Sequence, residues 1–382
     1  MSTYRAAIIG VGKKKRPDGQ VAFGITYHHA AGYAVLDNCE IVACADLVQE
    51  NADAFVEKYP GTNAYLDFHK MLAAENPDLV SVGTWPHSHA SIVIAVAEAG
   101  VKAIHCEKPM ATTWFDAKRM VDACQQNGVQ LTFNHQRRFG EPFLKAKELL
   151  DDGAIGELVR LEASCSNLYD WGTHWFDMLF MYNDERPVKW VLGQIDPSGG
   201  HSVFRVELEG QGMSHFLWEN GVRGLVLTGH ESNLGCANRL IGTEGTIEVG
   251  VNGGPNLRVR GKGDADWRVI ETTQGLHGGE HFVAAIADAV ACLDSGNAPV
   301  LSARKALQAT EVIFATYESA RRGARVDLPL DVDVDPFTHM REHPVASEHL
   351  TCPPPRWRRP YVFRRFCASW ARETRGDKCY IL

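Results

Sequence analysis

Along the first 130 residues, short apolar runs alternate with stretches of helical spacing. The runs are Tyr4–Gly10, Glu40–Ala45, Leu79–Gly83, Val101–Cys106 and Val129–Phe133. Each is too short for a helix and reads as a buried strand. Between them, Val48–Lys58, Ser91–Ala99 and Trp114–Asn127 carry apolar residues at helical intervals. Strand and helix alternating at this pitch predict a parallel, doubly wound sheet with right-handed crossovers. We therefore expect an α/β Rossmann domain over residues 1–130.

Beyond about residue 150 the rhythm changes. Leu158–Ser164, His201–Leu208, Gly212–Trp218, Arg223–Gly229, Gly245–Val249 and Asn256–Arg260 read as strands separated by Gly, Asn or Glu-Gly turns. Such spacing predicts hairpins. Helical patterns follow at Glu280–Asp294 and Ser302–Arg321, and Gly323–Leu330 closes the pattern as an extended segment. The expectation is an α+β domain over residues 131–332, built on a large, mostly antiparallel open sheet. Residues 333–382 form a tail expected to be loosely structured. From His343 onward it holds Pro353-Pro354-Pro355, eight Lys or Arg against three Asp or Glu, and three cysteines, without sustained periodicity. It reads as a loose extension or as a basic strap for an acidic surface.

A length of 382 residues suits two domains. The net charge of −8 argues against nucleic acid as the main partner. No apolar run is long enough to cross a membrane. The segment before the first strand is too short for a signal peptide, so the cytoplasm is the expected compartment. The ten cysteines sit singly with no C-x-x-C pair. They read as buried thiols, and no motif for a metal is found.

The first strand ends in Gly10-Val11-Gly12, and the second ends in Asp46. Two glycines at a strand end let backbone N–H groups approach a pyrophosphate, and an acid at the next strand end accepts from an adenosine ribose. The layout calls for a dinucleotide. Asp46 favours NAD, because a carboxylate repels a 2′-phosphate. The third glycine of the fingerprint is replaced by Lys15, within the polar stretch Lys13-Lys14-Lys15-Arg16. Those charges are either a solvated loop or phosphate contacts, which leaves NADP open. Gly24 is the expected site of close helix–strand packing.

The fourth strand leads into Glu107-Lys108-Pro109. In a parallel sheet the carboxyl ends of strands face the ligand crevice, so Lys108 either points into a cofactor cleft or is an ordinary exposed lysine. With Thr84, Pro86 and His89 upstream, Asn134-x-x-Arg137-Arg138-Phe139 at the junction and Asp170-x-x-x-His174 beyond, the chain resembles the Gfo/Idh/MocA oxidoreductase family over residues 4–330. It departs from the pattern at Trp85, which stands between Thr84 and Pro86.

The resemblance implies hydride transfer between a nicotinamide and a secondary alcohol of a sugar, polyol or glycoside. Lys108, His174 and Asp170 would be catalytic. Gly10, Gly12, Asp46, Thr84, Pro86, His89, Glu107, Lys108 and Asn134 would bind the cofactor. Lys108, Arg138, Tyr169, Asp170 and His174 would bind substrate. Trp171 and His277 are weaker candidates, and Asp177 is open between a structural and a chemical role. A dimer or tetramer through the open sheet face is also implied. Two rivals stand: a glycosidase or lyase that oxidises its sugar transiently and keeps its NAD, and a non-catalytic nucleotide sensor.

Overall fold

The computed structural model describes residues 3–12, 24–198, 202–229 and 232–343. The Lys13–Arg16 cluster and the tail from residue 344 lie outside the described residues.

The first sheet contains β1 (Tyr4–Ile9), β2 (Cys39–Ala45), β3 (Asn63–Tyr65), β4 (Leu79–Val82), β5 (Ala103–Cys106) and β6 (Gln130–Phe133). Its helices are α1 (Thr26–Ala34), α2 (Gln49–Lys58), α3 (Phe68–Glu75), α4 (Pro86–Glu98) and α5 (Trp114–Gln126). The strand order is β3-β2-β1-β4-β5-β6, with every pairing parallel. This is the dinucleotide-binding order, which reverses between β1 and β4. Helices cover both faces of such a sheet, so its strands are apolar throughout: Ala6, Ala7 and Ile8 are fully buried.

The second half begins with α6 (Glu141–Asp151), β7 (Leu158–Cys165), α7 (Trp171–Tyr182) and β8 (Val188–Asp196). Next come β9 (Ser202–Val203), β10 (Val206–Glu207), β11 (Gln211–Trp218), β12 (Arg223–Gly229), β13 (Cys236–Gly242), β14 (Thr246–Val251), β15 (Leu257–Arg260) and β16 (Arg268–Val269). The chain closes with α8 (Gly279–Ser295), α9 (Ala303–Arg322), β17 (Val326–Asp327) and α10 (Pro336–Glu342). Nine strands form one sheet in the order β16-β15-β14-β13-β7-β12-β11-β8-β17, and all pairings are antiparallel except β7 with β12. In β11, Gly212, Ser214, Phe216 and Trp218 point inward, and the residues between them are half-buried. One face thus packs on α7 and α9 while the other is left half-exposed.

Several expectations change. The segment predicted as a strand from His201 to Leu208 is only the two-residue hairpin β9–β10, turned by Phe204 and Arg205 at φ 53° and 62°. The boundary at residue 130 is crossed in both directions. β6 extends to Phe133, and α8 packs back on α1, where Gly32 admits Ile286. Tyr4 donates to Asp294 of α8 at 2.7 Å. The tail does not begin at 333. Asp335 caps α10 by accepting from the Thr338 N–H, Pro336 occupies its first turn, and Phe337 packs against Tyr317.

Candidate active site

The carboxyl ends of β1, β2, β4 and β5 converge on one crevice. At the end of β1, Gly10 and Gly12 hold φ of 82° and 70°, the left-handed region that glycine enters freely. A Cβ on Gly10 would lie 2.7 Å from Thr84 Cγ2, so the β1 and β4 turns touch backbone to side chain. The close helix–strand approach falls at Gly83 rather than Gly24: a Cβ there would lie 2.1 Å from Thr26 Cγ2. At the end of β2, Asp46 accepts from Gly12 N–H at 3.0 Å, Val48 N–H at 2.9 Å and Asn51 Nδ2 at 3.1 Å. These donors fix the carboxylate beside the glycine turn. Left-handed glycines at the strand end and an oriented acid beside them fit a dinucleotide pyrophosphate and ribose.

At the end of β5, Lys108 and Glu107 turn opposite ways. Lys108 Nζ lies 2.6 Å from Asp170 Oδ1 and is part-exposed. Glu107 is buried and faces the core. It accepts from Asn134 Nδ2 at 2.6 Å and meets His29 Nε2 at 2.9 Å. Burial works to raise its carboxyl, but the His29 hydrogen bond and charge and the Asn134 donor hold it below the usual value. Glu107 and Asn134 therefore brace the backbone under Lys108, and neither is turned toward the crevice. His89 is buried as well. Its ring nitrogens lie 2.9 Å from the Pro109 carbonyl and 3.0 Å from that of Thr84, tying the β4 and β5 turns together. Pro86 is buried in the first turn of α4, while Thr84 stays half-buried and accepts from the Ser88 hydroxyl.

Asp170 sits at the start of α7, its N–H donating to Asn167 Oδ1 at 2.7 Å. His174 follows one turn later, buried, with Nδ1 lacking a partner among the described residues. Burial, reinforced by the Arg137 and Lys108 charges, holds its imidazole well below the ordinary value. It is thus neutral and able to accept a proton. Arg138 is not free for substrate. Asp177 takes its Nε at 2.7 Å and Nη2 at 2.9 Å, and Glu185 takes Nη1. The Arg138 and His135 charges hold Asp177 far below the carboxylate range against its burial, which makes Asp177 structural. Tyr169 is buried and donates to the Ala111 carbonyl at 3.1 Å.

The family described as "Oxidoreductase family, NAD-binding Rossmann fold", Gfo/Idh/MocA, matches residues 4–135. D-apiose dehydrogenase of Paraburkholderia graminis is 27% identical over 366 residues, covering 85% of this chain and 90% of that protein. D-glucoside 3-dehydrogenase of Escherichia coli is 33% identical over 157 residues, covering 41% of this chain and 42% of that protein. Levoglucosan dehydrogenase, solved with NADH and L-sorbose, shares the fold at a TM-score of 0.71 and 21% identity, over 87% of this chain and 100% of that one.

The chain matches the Gfo/Idh/MocA family over residues 4–135.

It is an NAD(P)-dependent oxidoreductase. Within this Gfo/Idh/MocA site, sequence reasoning gave no role to three residues. Arg137 is buried with no carboxylate partner among the described residues. Its guanidinium lies 4.5 Å from the Trp175 ring and 5.5 Å from the Trp171 ring, and burial lowers it to about 10. Its place in the Asn134-x-x-Arg137 segment was the available signal. His135, whose ring centre is 5.7 Å from that of His174, was signalled the same way. Arg205 lies 4.9 Å over the Trp85 ring, and nothing in the sequence pointed to that meeting. His277 packs edge-on to Trp171 at 6.2 Å.

Proposed function

We propose that the protein oxidises a secondary alcohol of a sugar, polyol or glycoside to the ketone, with Lys108, Asp170 and His174 as catalytic residues and NAD as the preferred cofactor. The Lys108–Asp170 pair at 2.6 Å, beside a buried neutral imidazole at the strand ends, carries this reading. A bound nicotinamide dinucleotide supplies the hydride acceptor at its C4. Lys108 donates to the reacting hydroxyl oxygen and fixes it in the crevice. Asp170 orients the ammonium. His174 takes the hydroxyl proton as the C–H bond gives up its electron pair, so one proton and one hydride leave the alcohol. In the reverse direction His174 returns the proton to the new alkoxide.

Asp46 supports NAD over NADP, because its fixed carboxylate occupies the place a 2′-phosphate needs. We also assign the six-stranded sheet and its helices to nucleotide binding, the nine-stranded sheet with α7, α9 and α10 to substrate binding and assembly, and the half-exposed face of the nine-stranded sheet to a homo-oligomer. The seven free thiols among the described residues suit a reducing compartment such as the cytoplasm. The test is a panel of aldoses, inositols and glycosides read by NADH absorbance with NAD and with NADP. Net NADH formation from a member of the panel is expected. Turnover without net NADH would favour a redox-neutral lyase, and no turnover would remove the reading.

A further inference from the structure

A cavity of about 700 Å³ lies beside the proposed reaction site, in contact with neither Lys108 nor His174. Segment 112–113, Tyr169, the β9–β10 hairpin, α9 and α10 form its walls. Two of these walls continue directly from the reaction site. Tyr169 precedes Asp170 in the chain, and Thr112 follows Lys108 by four residues, at most about 14 Å of chain. The Tyr169–Ala111 hydrogen bond holds these two segments side by side.

The lining combines aromatic surfaces, Tyr169, Tyr317 and Phe337, with side chains of both charges, Arg205, Arg341 and Glu207. Arg341 and Glu207 pair at 3.2 Å while remaining part-exposed. Aromatic planes suit the C–H faces of a pyranose ring, and carboxylate and guanidinium groups hydrogen-bond its vicinal hydroxyls. With two arginines against three carboxylates, Glu207, Asp335 and Glu342, the lining favours a neutral polyhydroxyl ligand over an anion. The hairpin tip adds a second indication. A two-residue turn with positive φ at both central positions normally takes Asn-Gly, yet here it is built from Phe204 and Arg205. That strained tip places Arg205 at once on the cavity rim and over Trp85, beside the β4 turn that carries Thr84. A volume of this size falls within the range of small-molecule sites and has room for more than one pyranose ring.

We infer that this cavity is a distal sugar subsite, and that the substrate is a glycoside or oligosaccharide whose second ring it holds. The inference rests on the oxidoreductase reading given above. Thr338 lines the cavity from the exposed side of α10, and its N–H caps onto Asp335 whatever its side chain. Thr338→Trp therefore fills the subsite, and Arg205→Ala strips its rim. The full chain loaded with NADH, which cannot oxidise a sugar, is titrated calorimetrically with glucose, cellobiose and maltose. NADH formation from the same sugars is followed with NAD. At least one disaccharide should bind at least tenfold more tightly than glucose, and Thr338→Trp should erase that advantage while leaving glucose binding unchanged. Arg205→Ala should reduce the advantage severalfold. Equal weakening of both sugar classes, no disaccharide advantage or no sugar binding overturns the inference. Disaccharide binding that Thr338→Trp abolishes, without NADH from any sugar, sustains the subsite and removes the oxidoreductase reading. NADH from glucose with no disaccharide advantage does the reverse.

Discussion

His174 offers a quantitative test, because its proposed role requires a neutral imidazole inside the folded protein. The groups facing it are Lys108 at the β5 end, Arg137 and His135 after β6, Asp170 at the start of α7 and His277 before α8. Burial and the surrounding positive charges hold its pKa well below the ordinary value. In the unfolded chain the ring titrates near about 6.5. A base whose folded pKa is depressed contributes stability that is fully present above the unfolded value and is lost as pH falls below it, because only the unfolded state takes up the proton. Between about pH 7.5 and about pH 5.5 a single such histidine withdraws about 1.4 kcal/mol. The assay is urea unfolding of the wild type and His174→Gln at both pH values. Other buried groups, including His105, lowered to about 3, and Glu209, raised by burial, are common to both proteins and cancel in the comparison. The variant should lose about 1.4 kcal/mol less than the wild type over the interval. Identical losses would mean that the folded protein protonates this ring as readily as the unfolded chain does, and the claim that burial and the neighbouring charges keep it neutral would fall.

Three further outcomes follow from the same geometry. Asp46→Ser should weaken NADH binding about tenfold and narrow the gap to NADPH, measured by fluorescence titration with each cofactor, since a charge-assisted hydrogen bond is worth about 1.5–3 kcal/mol. Asp170→Asn should lower kcat about a hundredfold with NADH affinity unchanged, because Lys108 Nζ loses the carboxylate that orients it. Arg138→Met leaves the Asp177 carboxylate buried without its main partner and should cost about 3–5 kcal/mol in denaturant unfolding. The folded fraction of that variant should keep its KM, as expected of a side chain engaged away from substrate.

Which residues were legible beforehand follows from how local their signals are. The buried parallel strands announced themselves, because a strand covered on both faces is apolar along its length, as Ala6–Ile9 is. β8 and β13 were missed because each presents one face to solvent. Lys189 and Gln194 interrupt the apolar pattern of β8 from the solvent side, and in β13 Arg239 interrupts it from the outer face and the buried Asn238 from within. α8 looked like part of the second domain in sequence, yet its apolar face, Ile286 and Val290, completes the core around Tyr33 and Leu79. In the site, the Glu107-Lys108-Pro109 turn could be located from sequence, but the direction of each side chain could not. Glu107 points inward because His29, far away on α1, receives it. Arg138 is withdrawn because Asp177, one turn beyond His174 on α7, claims its guanidinium. Both are consequences of tertiary pairing, which carries no local pattern.

The central claim is that Lys108 serves the reacting alcohol and not the folding of the chain or the binding of the nucleotide. Single-turnover formation of NADH by Lys108→Ala, measured beside NAD affinity with the best sugar of the panel, tests it most directly. NAD should bind within about threefold of wild type, and the chemical step should slow by about a hundredfold or more. Wild-type NADH formation in that variant would contradict it.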